Sequence, residues 1–214
     1  MSNILFDIEA NGLLRKSKDR TWNEELKKFE KGVIPKATTL WCIVAKDLET
    51  RKIYKFTPDE LEEGIKFLQN AETLVGHNII GYDIPLIEEL YNIKLTNKVI
   101  DTLVLSRLFN PQREGGHSLE AWGHRLEFKK ADQPDFDEYS EEMLEYCVVD
   151  VNVNEKVYQQ LQREQAEDLF GVGFKQQSID LEHAVARIMF AQEQNGFMLN
   201  ERKVSSLLNQ FKDE

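Results

Sequence analysis

The sequence predicts an α/β fold: a mixed sheet with an antiparallel meander on one side, parallel strands on the other, and helices on the faces. Three observations predict it. Three β-rich runs come first (NILFDI, LWCIVAKDL and RKIYKFT), and then short buried runs (ETLVG and VID) alternate with segments of helical period. The 214 residues, 41% hydrophobic and 30% charged, are enough to bury a sizeable core.

Each element follows from its own stretch. Ile4, Leu5 and Phe6 begin a core strand. The polar, Lys-rich stretch from Gly12 to Thr38 reads as a long loop with some helix. LWCIVAKDL and RKIYKFT form an antiparallel hairpin with its turn near Asp47–Arg51. Pro58 opens a helix, apolar at Leu61, Ile65 and Leu68. ETLVGHN is a buried strand running out at Gly76, IPLIEELYN a helix, VID a strand, and TLVLSRLF a helix. NPQREGGH is a loop by its proline and paired glycines, and HSLEAWGHRL is helical. After a polar loop, Ser140 caps a long helix with Glu141 and Glu142 in its first turn. From about Ser178 the character changes to an amphipathic helix ended by Asn195-Gly196. Asn200 then caps a last helix that reaches the final residues, as in a chain that has been cut. The expected division is a domain over 1–177 and a helical connector over 178–214.

Composition excludes several classes. No apolar run approaches the roughly 20 residues of a membrane span, and the N-terminus has no basic region leading into an apolar one. The expectation is a cytoplasmic protein with no membrane partner. Cys42 and Cys147 sit in apolar stretches and read as reduced core residues. The net charge of −11 disfavours a long non-specific footprint on nucleic acid. That charge is uneven, because between Arg15 and Lys36 eight basic residues stand against four acidic ones. This stretch is either a solvated insertion or a phosphate-contacting arm.

The chemistry lies in the acidic residues. Asp7 and Glu9 continue the first strand and share one of its faces, roughly 6–7 Å apart. Asp83 and Asp101 each follow a strand and precede a helix, where an aspartate ordinarily caps the first turn. Tyr146 and Asp150 are four apart on a helix face that is otherwise apolar. An ionised Asp150 there is costly unless paired or metal-bound. Gathered carboxylates repel one another, and hard divalent cations such as Mg²⁺ or Mn²⁺ remove that cost in an all-oxygen site.

In order, the motifs DIEANGL, HNIIGYD, IDTLVLSRL, GHSLEAWGHRL and YCVVD resemble the proofreading domain of bacteriophage-type family A DNA polymerases, in the tyrosine branch of the DEDD superfamily of 3′–5′ exonucleases. The resemblance covers about Ile4 to Gln165, and the tail from Ile179 is similar to the segment leading into the polymerase domain. It implies an RNase H-like fold and a two-metal exonuclease releasing nucleoside 5′-monophosphates from single-stranded or mispaired DNA 3′ ends during replication. It implies two Mg²⁺ ions, with Mn²⁺ able to substitute. Asp7, Glu9 and Asp150 would hold the ion that activates water, with Asp7 bridging to the second. Asp83 would support the second ion, and Tyr146 would aim the water. Leu13 would wedge against the terminal bases and Asn78 would contact the strand. Asp101 matches a family position, but its capping role is preferred. Ala10 stands where many members have a threonine near the terminal nucleotide, which removes a substrate contact and no metal ligand. The implied partners are a frayed DNA 3′ end and the polymerase domain of a longer, monomeric chain. The alternatives are a stand-alone exoribonuclease on the same fold and a non-catalytic docking module.

Overall fold

The computed structural model describes residues 2–15, 17–23, 28–34, 36–128, 134–167 and 174–212. The chain begins with β1 (Asn3–Ala10) and a separate two-stranded ribbon, β2 (Ser17–Asn23) and β3 (Lys28–Ile34). It continues with β4 (Leu40–Asp47), β5 (Ile53–Phe56), α1 (Leu61–Gln69), β6 (Thr73–Gly76), α2 (Asp83–Tyr91), β7 (Lys98–Asp101) and α3 (Thr102–Phe109). Four more helices follow: α4 (Leu119–Arg125), α5 (Glu141–Glu167), α6 (Gln176–Asn195) and α7 (Glu201–Lys212). The main sheet has the order β5-β4-β1-β6-β7, antiparallel across β5, β4 and β1 and parallel across β1, β6 and β7. This is the mixed sheet that the sequence implies.

Strand β1 is the central strand of the sheet, and its two edges behave differently. Its pairing with β4 runs from Ile4↔Asp47 to Ala10↔Leu40, with an irregularity between Glu9 and Ala10. Its pairing with β6 covers only Asn3↔Thr73 to Leu5↔Val75. Beyond that point β6 leaves, and among the described residues the second half of β1 has no strand paired on that edge.

Period-two alternation sorts β1 between two layers. Ile4, Phe6 and Ile8 pack with Leu68, Leu86 and Ile87 of α1 and α2. Leu5, with Val44 and Val75, packs against Leu144, Cys147 and Val151 of α5. Asp7 and Glu9 share the parity of Leu5, so they continue the face that α5 covers.

Helix α5, with 27 residues, is the main brace. Lys46 of β4 reaches Glu155 at 2.7 Å and Asn152 at 2.9 Å, while Arg51 approaches Glu155 at 3.2 Å. At the far end, Arg113 grips Glu164 with two bonds of 3.0 and 2.6 Å. Its guanidinium also lies 4.3 Å from the centre of the buried Trp122 ring, which Arg125 covers from 4.6 Å. These contacts fix the NPQREGGH loop and α4 onto α5, and with them the rotation of α5 about its axis.

The hairpin of β4 and β5 turns where expected, with the Asp47 carboxylate accepting from the Glu49 and Thr50 amides. Pro58 opens a short 3₁₀ turn, Pro58–Glu60, before α1 proper. Ser140 and Asn200 cap α5 and α7 through the amides of Met143 and Lys203. One expectation fails. The stretch from Gly12 to Thr38 is not a loop with some helix; it holds the antiparallel ribbon of β2 and β3. The physical reason is in its composition: Thr21, Trp22, Phe29, Val33 and Ile34 favour extended backbone, and lysines between them obscure the pattern.

The departure of β6 from β1 depends on Gly76. A Cβ there would meet Ile79 Cγ2 at 2.2 Å and the Phe6 carbonyl oxygen at 3.1 Å, and Ile79 is fully buried. Gly76→Ala is expected to cost about 1–3 kcal/mol through overpacking. Urea denaturation checks this, and an unchanged midpoint contradicts it.

Candidate active site

Three segments converge where β1 outruns β6. Strand β1 supplies Asp7 and Glu9, the N-terminus of α2 supplies Asp83, and α5 supplies Tyr146 and Asp150. Each arrives by a simple local rule. Asp7 and Glu9 are two apart on a strand, and Tyr146 and Asp150 are four apart on a helix. Asp83 is the first helical residue of α2 and lies buried. It draws on its own amide and on that of Ile8, in the part of β1 that β6 has left.

Asp83, which the motifs mark as a candidate ligand of the second ion, does not act as an ordinary helix cap. The residue before the helix is Tyr82, and its side chain caps nothing. Asp83 is instead turned into the protein toward Asp7, whose charge raises its proton affinity. Asp101 does act as a cap, accepting from the Leu103 amide at 2.9 Å. It also accepts from the amides of Asn78 at 2.9 Å and Ile80 at 3.0 Å. Asp101 thus pins the loop that carries Asn78 in a left-handed conformation (φ 63°) and leads into α2. Its own amide donates to His183 Nε2 at 2.8 Å, which docks α6 on the same spot.

The carboxylate oxygens of Asp7 and Glu9 and the thiol of Cys147 lie within 4.8 Å of one another. Cys147 approaches Asp7 Oδ2 at 3.7 Å. The electrostatics reach further. Burial, and then the charges of Asp7, Cys42, Asp150 and Asp83, push the Glu9 carboxyl up to about 10. Burial and Asp7 hold Asp83 well above the usual carboxylate range. Burial likewise raises the Cys147 thiol, with Cys42, Asp7 and Glu9 adding to the effect. The four carboxylates therefore act on one another as a single charged cluster. Tyr146 is buried beside them, its ring edge-on to Phe136 at 6.2 Å.

Leu13 and Asn78 stand apart from this cluster, on an adjoining groove of about 520 Å³ that Tyr82, Gly81 and Arg15 also line. Leu13 is exposed there at 37%. The sequence reading missed Tyr82, which lines this groove, donates its hydroxyl to the Gly12 carbonyl at 2.6 Å, and lies near enough to Asp83, Glu9 and Asp7 to feel their charge. It also missed the placement of Cys147. The signal was available, since Cys147 follows Tyr146 and precedes Asp150 by three positions, on the same side of α5.

The donor chemistry fits hard divalent cations. Carboxylates that repel one another in a buried place, and so hold protons at neutral pH, exchange those protons for a doubly charged ion. Asp7, Glu9, Asp83 and Asp150 offer the oxygen ligands that Mg²⁺ and Mn²⁺ prefer.

No family model matches the chain. It is 27% identical to a DNA-directed DNA polymerase of Escherichia phage T7, across 95% of this chain and 34% of that one. The chain is a homologue of phage family A DNA polymerases. It spans about a third of the length of these polymerases. Among solved structures, its fold is that of Escherichia coli RNase D, with a TM-score of 0.57 and 15% identity over 89% of this chain and 45% of that one. Brucella melitensis NrnC with bound Mg²⁺ matches with a TM-score of 0.56 and 15% identity over 86% of this chain and 81% of that one. The chain thus has the RNase H-like fold that its motifs imply.

The cluster has a consequence for stability. Glu9 and Asp83 bind protons more tightly folded than unfolded, so their contribution is full below the unfolded carboxylate range and is lost as pH rises toward about 10. In EDTA, the urea midpoint is expected to fall steadily from pH 5 to pH 9. Glu9→Gln should flatten that slope, and saturating Mg²⁺ should do the same in the unaltered protein. A midpoint that rises with pH over this range contradicts the assignment.

Proposed function

We propose that this chain is a two-metal 3′–5′ exonuclease domain that removes nucleoside 5′-monophosphates from single-stranded or mispaired DNA 3′ ends. The observation that carries the proposal is the convergence of Asp7, Glu9, Asp83 and Asp150, from three separate segments, into one cluster in which burial and neighbouring charges raise the proton affinity of Glu9 and Asp83. Similarity to phage polymerases and to exonuclease folds supports the same reading.

The residues divide the work. Asp7, Glu9 and Asp150 would hold one cation, and Asp83, with Asp7, would support a second. When bound, the ions supply the charge that stabilises the attacking and leaving oxygens of the phosphodiester displacement. Tyr146 hydrogen-bonds the attacking water and aims it. A phenol, with a free-solution pKa of about 10, suits orienting a water at neutral pH better than taking a proton from it. Leu13, exposed on the groove, wedges against the terminal bases, and Asn78 holds the strand. Tyr82 keeps groove and carboxylates in register through its bond to Gly12. Residues 178–214 serve as a connector toward a polymerase domain in a longer chain, whose duplex-binding surface would offset the acidic charge of this one.

The test is a 5′-labelled single strand incubated with Mg²⁺, with EDTA, and with Asp7→Ala or Asp150→Ala. Shortening from the 3′ end in Mg²⁺ is expected, with none in EDTA and a rate lower by roughly 10²–10³-fold in either variant. Tyr146→Phe should lower the rate roughly 10–100-fold while leaving metal affinity in place. A matched RNA strand should be degraded more slowly than DNA. An Asp7→Ala protein as active as the parent overturns the site.

A further inference from the structure

Helix α6 reaches the candidate site through one histidine. His183 is buried, and its Nδ1 lies 2.8 Å from the Ile179 carbonyl one turn back. A carbonyl only accepts, so Nδ1 carries the proton and Nε2 is left as an acceptor. Nε2 takes the Asp101 amide at 2.8 Å. Asp101 ends β7, the edge strand of the sheet, where an outward amide needs a partner from elsewhere. A side chain that only satisfied such an amide would be ordinary packing. Here the amide belongs to the residue whose carboxylate holds the amides of Asn78, Ile80 and Leu103, so a short relay joins α6 to the loop before α2.

The same helix walls the space beside that loop. Ala186, Met189 and Phe190 of α6 line a cavity of about 720 Å³ together with Asn78, Gly81 and Asp101. The cavity shares Asn78 and Gly81 with the groove of Leu13, and Glu193 of α6 lines both. Arg15 Nη1 donates to the Glu193 carbonyl at 3.4 Å, a second tie between α6 and the groove. Between these supports Asn78 keeps its left-handed conformation (φ 63°), which surrounding contacts must maintain.

We propose that His183 is a positioning residue for strand binding: acting through Asp101, it holds Asn78 where it meets the 3′ end of a DNA strand. This rests on the exonuclease reading for the ligand, while the relay itself is argued from hydrogen bonds. Without the His183 acceptor, the Asp101 amide is left buried and unpaired, and the carboxylate of the same residue loses its aim at the Asn78 and Ile80 amides. Asp7, Glu9 and Asp150 lie on β1 and α5, outside the relay, so the loss falls on strand grip before metal binding. Helix α6 is then part of the working site as well as a connector, and whatever displaces it weakens the hold on the strand.

Two measurements test this, one of them without substrate. Amide hydrogen exchange followed by NMR in EDTA is expected to speed up about tenfold at Asn78 and Ile80 in His183→Leu, and by less at the β1 and β4 amides. His183→Gln, whose longer side chain can place its amide oxygen near the Asp101 amide, should restore slow exchange. His183→Asn, which is too short to do so, should not. The second measurement is steady-state hydrolysis of a 5′-labelled oligo(dT) in Mg²⁺. KM should rise roughly 5–50-fold in the leucine and asparagine variants, as for one buried amide left unpaired, with kcat within about threefold of the parent. His183→Gln should recover most of that loss. Ile179→Val, which loosens the packing of α6 and leaves the relay in place, should change KM by less than about twofold. If the leucine variant loses its helical circular dichroism, the asparagine and glutamine variants carry the same comparison. Equal KM in those two, or exchange at Asn78 and Ile80 as slow as in the parent, overturns the proposal. A rise in KM for Ile179→Val as large as for the histidine variants also overturns it, since α6 would then act by packing alone. A parent protein that digests nothing, with exchange as predicted, sinks the exonuclease reading alone. Hydrolysis by the parent with exchange unchanged in the variants sinks the relay alone.

Discussion

The structure is organised around a repulsion. Glu9 and Asp83, both short of solvent, lie with Asp7 and Asp150 beside the edge that β6 has left; burial and then the charge of Asp7 raise the proton affinity of both, and Asp150 adds to the effect on Glu9. A free chain would let such groups drift apart into water. Here β1 is locked between β4 and β6, α5 is clamped across the sheet, and α2 begins with its aspartate turned inward. The stabilising contacts lie outside the cluster: the apolar layers of β1, the Lys46–Glu155 pair, and the clasp of Arg113 on Glu164 beside Trp122. A fold that spends rigidity on holding like charges together is poised to bind cations, and that constraint links the architecture to the chemistry.

The supporting residues follow the same logic. Asp101 satisfies three amides of the loop before α2 and the start of α3, and its own amide is taken by His183 of α6. Through this one residue the position of Asn78 and Asp83 depends on two helices distant in sequence. Gly76 allows the sharp exit of β6 against Phe6. Neither residue needs to touch substrate to matter for the site.

Much of this was legible in the sequence, because the decisive spacings are local. Alternation put Asp7 and Glu9 on one strand face, and a four-residue interval put Tyr146 and Asp150 on one helix face. The hairpin of β4 and β5 and the caps at Ser140 and Asn200 are equally local and came out as expected. What escaped depends on tertiary placement. Asp83 reads as a cap by spacing alone and as a metal ligand only through its motif, because the packing of α2 against β1 that turns it inward is not local. Cys147 looked like plain core because its approach to Asp7 is a contact between elements 140 residues apart. The ribbon escaped for another reason: lysines at both parities hide a strand whose aromatic and β-branched residues are otherwise well suited to one.

The central claim is that the carboxylates hold protons which divalent cations displace. Calorimetric titration of the chain with Mn²⁺ at pH 7, repeated in buffers of different ionisation enthalpy, tests it most directly. The account predicts that the observed heat varies with the buffer, corresponding to release of about one proton or more per chain, because Glu9, pushed up to about 10, holds its proton before the ion arrives. A binding heat that is the same in every buffer would mean that the carboxylates were already ionised, and would contradict it.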